Sequence, residues 1–344
     1  MADARPTIHD VAARAGVSKS LVSLALRGSP KVSDHSRALV LDAAAQLGYR
    51  ANAAARSLAD RRSRTVGVLV LDLHNPVFAQ ILDGVQSEVR LHGYSTMLVT
   101  GGADPALEES ELEKLLEFQV EGLIIIAHRL PGDVLRRVAR ERPVVVITRH
   151  EVTGPGIDTV SNDDVAGARL AVEHLVELGH RRIVHLSGGD NRISQDRQRG
   201  YLHAMRAAHL ARQARVVPGG LTDADGYAAA EVALALDPRP TALFAANDMS
   251  ALGAIAAVQD RGLSVPGDVS VVGYDGMSLG ALRSLSLTTV AQPLSDMGAE
   301  AARRLFDRLE RPGRRAAHVT VGVQLVRRGS TGPPPAKEND PKGG

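Results

Sequence analysis

Thr7-Ile8-His9-Asp10-Val11-Ala12-Ala13-Arg14-Ala15-Gly16-Val17-Ser18 decides how the start of this chain is read. Ile8, Val11, Ala12 and Ala15 recur at the spacing of one helix face. Thr7 stands ahead of them as a cap, and Asp10 follows three residues later to answer it. Gly16 stops that helix. Ser18 caps a second, with Leu21, Val22, Ala25 and Leu26 on its apolar side, before Gly28, Ser29 and Pro30 break it. Ser33 caps a third through Leu39, Val40, Ala43, Ala44 and Leu47, which Gly48 closes. Three short helices separated by turns predict a helix-turn-helix head over residues 1–50.

Charge divides the chain near the same place. Residues 1–64 hold 11 basic and 5 acidic residues, a net +6, whereas the remaining 280 hold 30 and 34, a net −4. A basic head on a mildly acidic body is the electrostatic footprint of nucleic-acid binding. Between them, Asn52 can cap a short helix over residues 53–59, and Arg61, Arg62, Ser63 and Arg64 read as a basic linker, so residues 51–64 form a joint. A helix of about eight residues is marginal alone in water and needs outside support, which makes the joint a candidate switch.

From Thr65 the pattern changes. Apolar runs at Val66–Leu71, Thr96–Val99, Leu123–Ala127, Val144–Ile147, Ile183–Leu186, Ala242–Ala246 and Val269–Gly273 read as buried strands. Amphipathic stretches such as Phe78–Leu91, Glu109–Phe118, Val165–Leu178, Gly200–Ala208 and Ser250–Arg261 alternate with them. That alternation predicts parallel sheets covered by helices, in two similar lobes given the length. The Pro- and Gly-rich end, residues 329–344, is expected to be disordered.

Composition excludes several functions. The 344 residues include no Cys, so there are no disulfides, thiolate metal sites or Cys nucleophiles. Aromatics are 3%, too few for a single-strand stacking platform. No apolar run approaches a membrane span and the N-terminus has no signal-peptide core, so a cytoplasmic, nucleoid-associated location without membrane contact is expected. The enzyme alternative, an α/β protein acting on a sugar or nucleoside, finds no G-x-S-x-G, Walker, H-E-x-x-H or post-strand G-x-G-x-x-G motif. The twelve His show no metal-ligand spacing. No catalytic residue, cofactor or metal is expected. His180 and His185 are read as structural, and Asp163-Asp164 as caps of the following helix.

The head residues, Thr7 to Ala12 and Ala15 to Ser18, resemble the lactose-repressor family of bacterial transcription regulators. So do Gly48 to Leu58, His174-Leu175, Leu178 to Arg181, Ala246-Asn247-Asp248, Val265-Pro266, Val271 to Asp275 and Leu287 to Pro293. The resemblance runs from about residue 6 to about 328. It implies a helix-turn-helix head, a hinge helix and a body of two parallel-sheet lobes like those of periplasmic sugar-binding proteins. Lobe 1 covers about 65–161 plus 294–322, and lobe 2 about 162–292. It implies a homodimeric repressor that binds double-stranded operator DNA and answers a small polar effector, a sugar or related metabolite. Tetrameric members add a heptad-bearing tail; the Pro- and Gly-rich tail here is not expected to make one, which favours a dimer.

The resemblance also assigns residues. The helix beginning at Ser18 lies in the major groove, with Lys19, Ser20 and Leu24 as base readers, Ser23 nearer the backbone, and Thr7 and Ser18 also among the DNA-binding residues. Leu24 and Leu21 depart from the family's usual Arg and Thr, so an altered operator is expected; packing is the alternative for both. In the hinge, Asn52, Ala55 and Arg56 would contact DNA and Leu58 would wedge a base step in the minor groove. Ala51 replaces a usual Pro. Ligands of open parallel sheets bind beyond strand carboxyl ends. There the resemblance makes Phe78, Arg149, Arg197, Asn247, Asp275 and Gln292 effector contacts. Thr148 replaces a common Asp. Asp72 and Asn75 follow the first strand and can serve instead as caps, and Arg149 can instead pair the lobes.

Overall fold

The computed structural model describes residues 6–49, 62–148, 152 and 154–336. It divides into two compact units at Arg64 and Thr65. Among the described residues the first unit holds three helices, α1 (Ile8–Ala15), α2 (Lys19–Leu26) and α3 (Asp34–Gln46). Thr7 and Asp10 form a reciprocal capping box, and Gly16 takes a left-handed conformation (φ 67°) that ends α1. Ser18 and Ser33 cap the other two helices. Val11, Val22, Val40 and the small Ala12, Ala25, Ala43 and Ala44 make its core.

Among the described residues the second unit contains two six-stranded sheets. The first runs β11-β5-β4-β3-β1-β2 and is parallel throughout. Its strands are β1 (Thr65–Val70), β2 (Ser95–Thr100), β3 (Gly122–Ile126), β4 (Val144–Ile147), β5 (Ile157–Asn162) and β11 (His318–Val321). The second runs β12-β10-β9-β8-β6-β7. Its strands are β6 (Ile183–Leu186), β7 (Arg215–Val217), β8 (Ala242–Ala245), β9 (Ser270–Asp275), β10 (Thr288–Ala291) and β12 (Gln324–Val326), of which only β12 is antiparallel to its neighbour. Central strands are buried on both faces, which is why they read as unbroken Val and Ile runs.

Helices cover both faces of each sheet. Those of the first are α4 (Pro76–Leu91), α5 (Pro105–Glu117), α6 (Gly132–Glu141) and α11 (Leu294–Glu310). Those of the second are α7 (Asp164–Glu177), α8 (Arg192–Ala207), α9 (Asp223–Leu234) and α10 (Asp248–Asp260). The chain crosses between sheets three times: after β5, between β10 and α11, and between β11 and β12. Leu294, Met297, Ala301 and Leu305 of α11 join the core of Val66, Val68, Ile81, Ile124 and Val145, so the first lobe is completed late in the chain. Asp158 of β5 holds that return. Fully buried, it accepts from Arg308 (2.5 and 3.1 Å) and from the backbone N–H of Ala317 (2.7 Å).

The end of the chain departs from the expectation of a disordered tail over 329–344. Residues 329–336 are ordered as a strap along the amino ends of β9 and β10. Ser330 accepts at its carbonyl from Val271 N (2.9 Å), donates through Oγ to Val271 O (2.6 Å), and accepts there from Thr288 N (2.8 Å). His180 Nε2 lies 2.9 Å from Gly332 O, and His174 Nε2 3.0 Å from Thr331 Oγ1. Three prolines disguise the segment, but residues 329–332 all find partners on the second lobe. His185 sits within β6, its Nδ1 2.9 Å from Phe244 O, and burial pushes its pKa down to about 4. No helix of the described residues is long and apolar enough to cross a membrane.

Several helix pairs cross in backbone contact at glycines, among them α7 and α8 at Gly200. A Cβ on Gly84 of α4 would overlap the Ser295 carbonyl, and one on Gly298 of α11 the Ile81 carbonyl. Gly226 and Gly253 do the same between α9 and α10. Gly84→Ala should therefore force α4 and α11 apart and cost about 1–3 kcal/mol in urea unfolding of the body. Gly313→Ala, which meets nothing within 4 Å, should change stability by less than about 0.5 kcal/mol. Equal effects for the two would refute the tight crossing.

Candidate functional site

The head presents the amino end of α2. Lys19 and Ser20 are exposed there, and neither side chain has a hydrogen bond or ion pair among the described residues. Ser18 Oγ accepts from Leu21 N (3.2 Å) and Thr7 Oγ1 from Asp10 N (3.4 Å), so both hydroxyls serve as caps. Ser23 is half-buried. Leu24 and Leu21 are half-buried and packed against the head core, which spends part of each on packing. Asn52, Ala55, Arg56 and Leu58 lie outside the described residues, as do Ala51 and Arg149.

In the body, strand carboxyl ends from both sheets converge on a cleft of about 430 Å³. This is within the usual range for small-molecule sites. Five of the sequence-derived effector residues line it: Phe78, Arg197, Asn247, Asp275 and Gln292. Phe78 is buried in the first turn of α4. Asn75 lines the cleft and also caps that helix, its Oδ1 accepting from Val77 N (3.0 Å). Asp72 is turned onto the backbone N–H groups of His74 and Asn75 (2.7 and 3.1 Å).

Arg197 is the centre of the second wall. Its Nε donates to Asp164 Oδ1 (2.8 Å), Nη1 to Ala246 O (2.6 Å), and Nη2 lies 3.2 Å from Asp275 Oδ1. Its guanidinium carbon sits 3.6 Å from the centroid of the Tyr274 ring. Asn162 Nδ2 donates to that tyrosine's hydroxyl (3.0 Å). All these groups are buried, so removing the arginine would leave two carboxylates without their counter-charge. Gln292 Nε2 donates to Asp275 Oδ1 (2.7 Å). Asn247 is more committed to the lobe than its motif suggests: Oδ1 caps α10 through Ser250 N (2.8 Å), and Nδ2 donates to Leu221 O (3.0 Å).

Two further acids shape the site. Asp163 caps α7, but Asp164, read alongside it as a cap, is turned into the arginine cluster. Nothing local in the sequence marks that pairing. Asp248, behind Asp275, accepts from Met277 N (2.7 Å) and Thr289 Oγ1 (2.6 Å). Burial raises its pKa to about 7, with the charge of Asp275 adding to the effect; burial likewise raises Asp275 to about 6 against the pull of Arg197. Lining residues His128, Arg129 and Leu221 also escaped the sequence reading. His128 and Arg129 follow the strand run ending at Ala127, and the strand-end rule applied there finds them.

Backbone strain gathers at the same edge. Ala127, Thr148 and Asp275 hold left-handed or positive φ values of 45°, 79° and 113°, and all three line the cleft. Such conformations persist only where the surroundings enforce them, and they concentrate at ligand sites.

Comparison with known proteins agrees with both units. Residues 7–52 match the model described as bacterial regulatory proteins, lacI family, and residues 172–331 that of the periplasmic binding protein-like domain. The HTH-type transcriptional repressor PurR of Mannheimia succiniciproducens is 33% identical over 94% of this chain and 98% of its own. Among solved structures, the lac repressor dimer bound to operator and the anti-inducer ONPF has a TM-score of 0.84 at 29% identity, covering 95% of this chain and 99% of that one. The transcriptional regulator CelR in complex with cellobiose has a TM-score of 0.70 at 31% identity, over 95% and 100%. The chain belongs to the lacI family of bacterial regulatory proteins. That membership decides against the enzyme alternative.

The pKa of Asp248 has a direct consequence. The unfolded chain releases this proton near pH 4, whereas the folded chain holds it to about pH 7. Wild type therefore loses stability as pH rises through that window, by about 1.4 kcal/mol per unit. Asp248→Asn carries no such loss, so its stability relative to wild type should climb between pH 5 and 7 and level off above. Urea unfolding of both proteins across that range checks this, and a pH-independent difference would contradict it.

Proposed function

We propose that this protein is a cytoplasmic, homodimeric transcriptional repressor whose affinity for double-stranded operator DNA is set by a small polyhydroxylated effector, a sugar or related metabolite. One observation carries the reading. A helix-turn-helix head with an exposed recognition-helix start and a two-walled polar cleft occur in one chain that aligns with named repressors over nearly its whole length. The lac repressor neighbour is a dimer bound to operator, and the CelR neighbour holds cellobiose.

Residues 1–50 form the reading head, 51–64 the hinge and linker, and 65–328 with the strap over 329–336 the sensing and pairing body. Lys19 and Ser20 read base edges in the major groove. Leu24 gives apolar contact with what surface its packing leaves, and Thr7, Ser18 and Ser23 support the DNA backbone. Asn52, Ala55, Arg56 and Leu58 act in the minor groove, Leu58 as the wedge. In the cleft, Arg197 and Asp275 present a fixed donor–acceptor pair to ligand hydroxyls, Phe78 offers a ring face, and Gln292, Asn247 and Arg149 complete the polar lining. The effector bridges the two walls, shifts the balance between open and closed lobes, and so alters the spacing of the paired hinges.

Two measurements test this. DNA from upstream of the protein's own gene should be retarded in a gel and altered in affinity by an effector found in a thermal-shift screen. Failure to retard any operator-like fragment would sink the reading. Lys19→Ala should weaken operator binding by about 1–3 kcal/mol and relax preference at one base pair in selection from a random pool. A variant that keeps the wild-type site unchanged would remove Lys19 as a reader.

A further inference from the structure

The two walls of the cleft differ in charge. Among the described residues, no carboxylate lines the first-lobe wall, which presents Asn75, Phe78, His128, Arg129, Thr148 and Asn162. The nearby acids are directed elsewhere: Asp72 accepts from the backbone at residues 74 and 75, and the fully buried Glu108 accepts the Arg129 N–H (2.8 Å). The Arg129 side chain is exposed at the cleft and makes no ion pair or hydrogen bond among the described residues.

Thr148 adds a second observation on the same wall. Its Oγ1 is buried with no hydrogen-bond partner, and its backbone is held at φ 79°, where a β-branched residue is seldom found. A buried hydroxyl without a protein partner, at the edge of a cleft, is placed to donate to a ligand. The second-lobe wall is different: its buried acid, Asp275, is already matched by Arg197 and Gln292, and it carries a further, exposed acid, Asp190. Lobes closing over a wholly neutral ligand would bring Arg129 toward the interior with no carboxylate on its own wall to match it, an arrangement that charged groups resist.

We infer that the effector carries an anionic group, a carboxylate or a phosphate ester on a polyhydroxylated body, received on the first-lobe wall by Arg129 and Thr148. This rests on the cleft being the effector site. Arg129 supplies the charge and a planar pair of donors, Thr148 a single donor at closer range, and the first turn of α4 behind Asn75 a favourable dipole. The hydroxylated remainder then faces Arg197, Asp275 and Gln292.

Calorimetry with matched pairs tests the inference: gluconate against glucose for the carboxylate, and ribose 5-phosphate against ribose for the phosphate. At least one acid should bind tighter than its neutral parent by about tenfold, the scale of one charge-assisted contact, and the difference should shrink as salt rises. Arg129→Gln should erase the difference and Arg129→Lys should keep most of it. Thr148→Asp, which puts a carboxylate on this wall, should reverse it. Equal or tighter binding of the neutral parents, no binding by either acid, or a preference that survives Arg129→Gln would overturn the inference. A neutral sugar that binds and changes operator affinity would do so while leaving the proposed repressor function standing.

Discussion

A single guanidinium holds the sensing site together. Arg197 reaches from α8 to a carboxylate at the start of α7, a carbonyl at the end of β8 and a carboxylate at the end of β9, with the Tyr274 ring beneath it. Four separate elements of one sheet layer are thus fixed at the edge where ligand must bind. The arrangement is buried, so each bond is stronger than in water and each missing partner more costly. Asp275 is held in an uncommon backbone conformation by the same cluster, and Gln292 is aligned through Asp275. The wall is therefore set before any ligand arrives.

The opposite wall is built on another principle. Its polar groups come from strand ends and a helix start and are less fully matched within the protein. Thr148 keeps an unsatisfied hydroxyl and a strained backbone, and Arg129 keeps its charge free of any ion pair among the described residues. One lobe is preorganised and the other is left to be completed. This asymmetry suits a sensor, because the incomplete wall gains contacts only when the two lobes approach each other around a ligand. A free-energy difference between open and closed states then depends on occupancy.

Much of this was legible in the residues. The head could be read outright because each helix carries its own start and stop: Thr7 with Asp10, Ser18, Ser33, Gly16 and Gly48 act within a few residues of themselves. The central strands could be read because burial on both faces demands unbroken apolar runs. Long-range pairing could not be read. Asp164 looked like its neighbour Asp163, and only the fold turns one to the solvent side as a cap and the other inward to Arg197. Asn247 carried a clear motif, yet its side chain is largely committed to its own lobe. The strap at 329–336 was masked by composition: Pro333, Pro334 and Pro335 suggest a solvated tail, while Ser330 is 1% exposed and bonded to two strands.

The three crossings between sheets and the terminal strap also bear on how the protein is made. The head and the early strands leave the ribosome first, but neither lobe can close then. The first lobe needs α11 and β11, and the second needs β12 and the strap that ends within the last residues described. A domain that lies in one stretch of chain can fold as that stretch emerges, whereas these two lobes must wait for segments made much later. Sensing is thereby confined to molecules that carry these late segments: a translation product truncated before them lacks parts of both lobes.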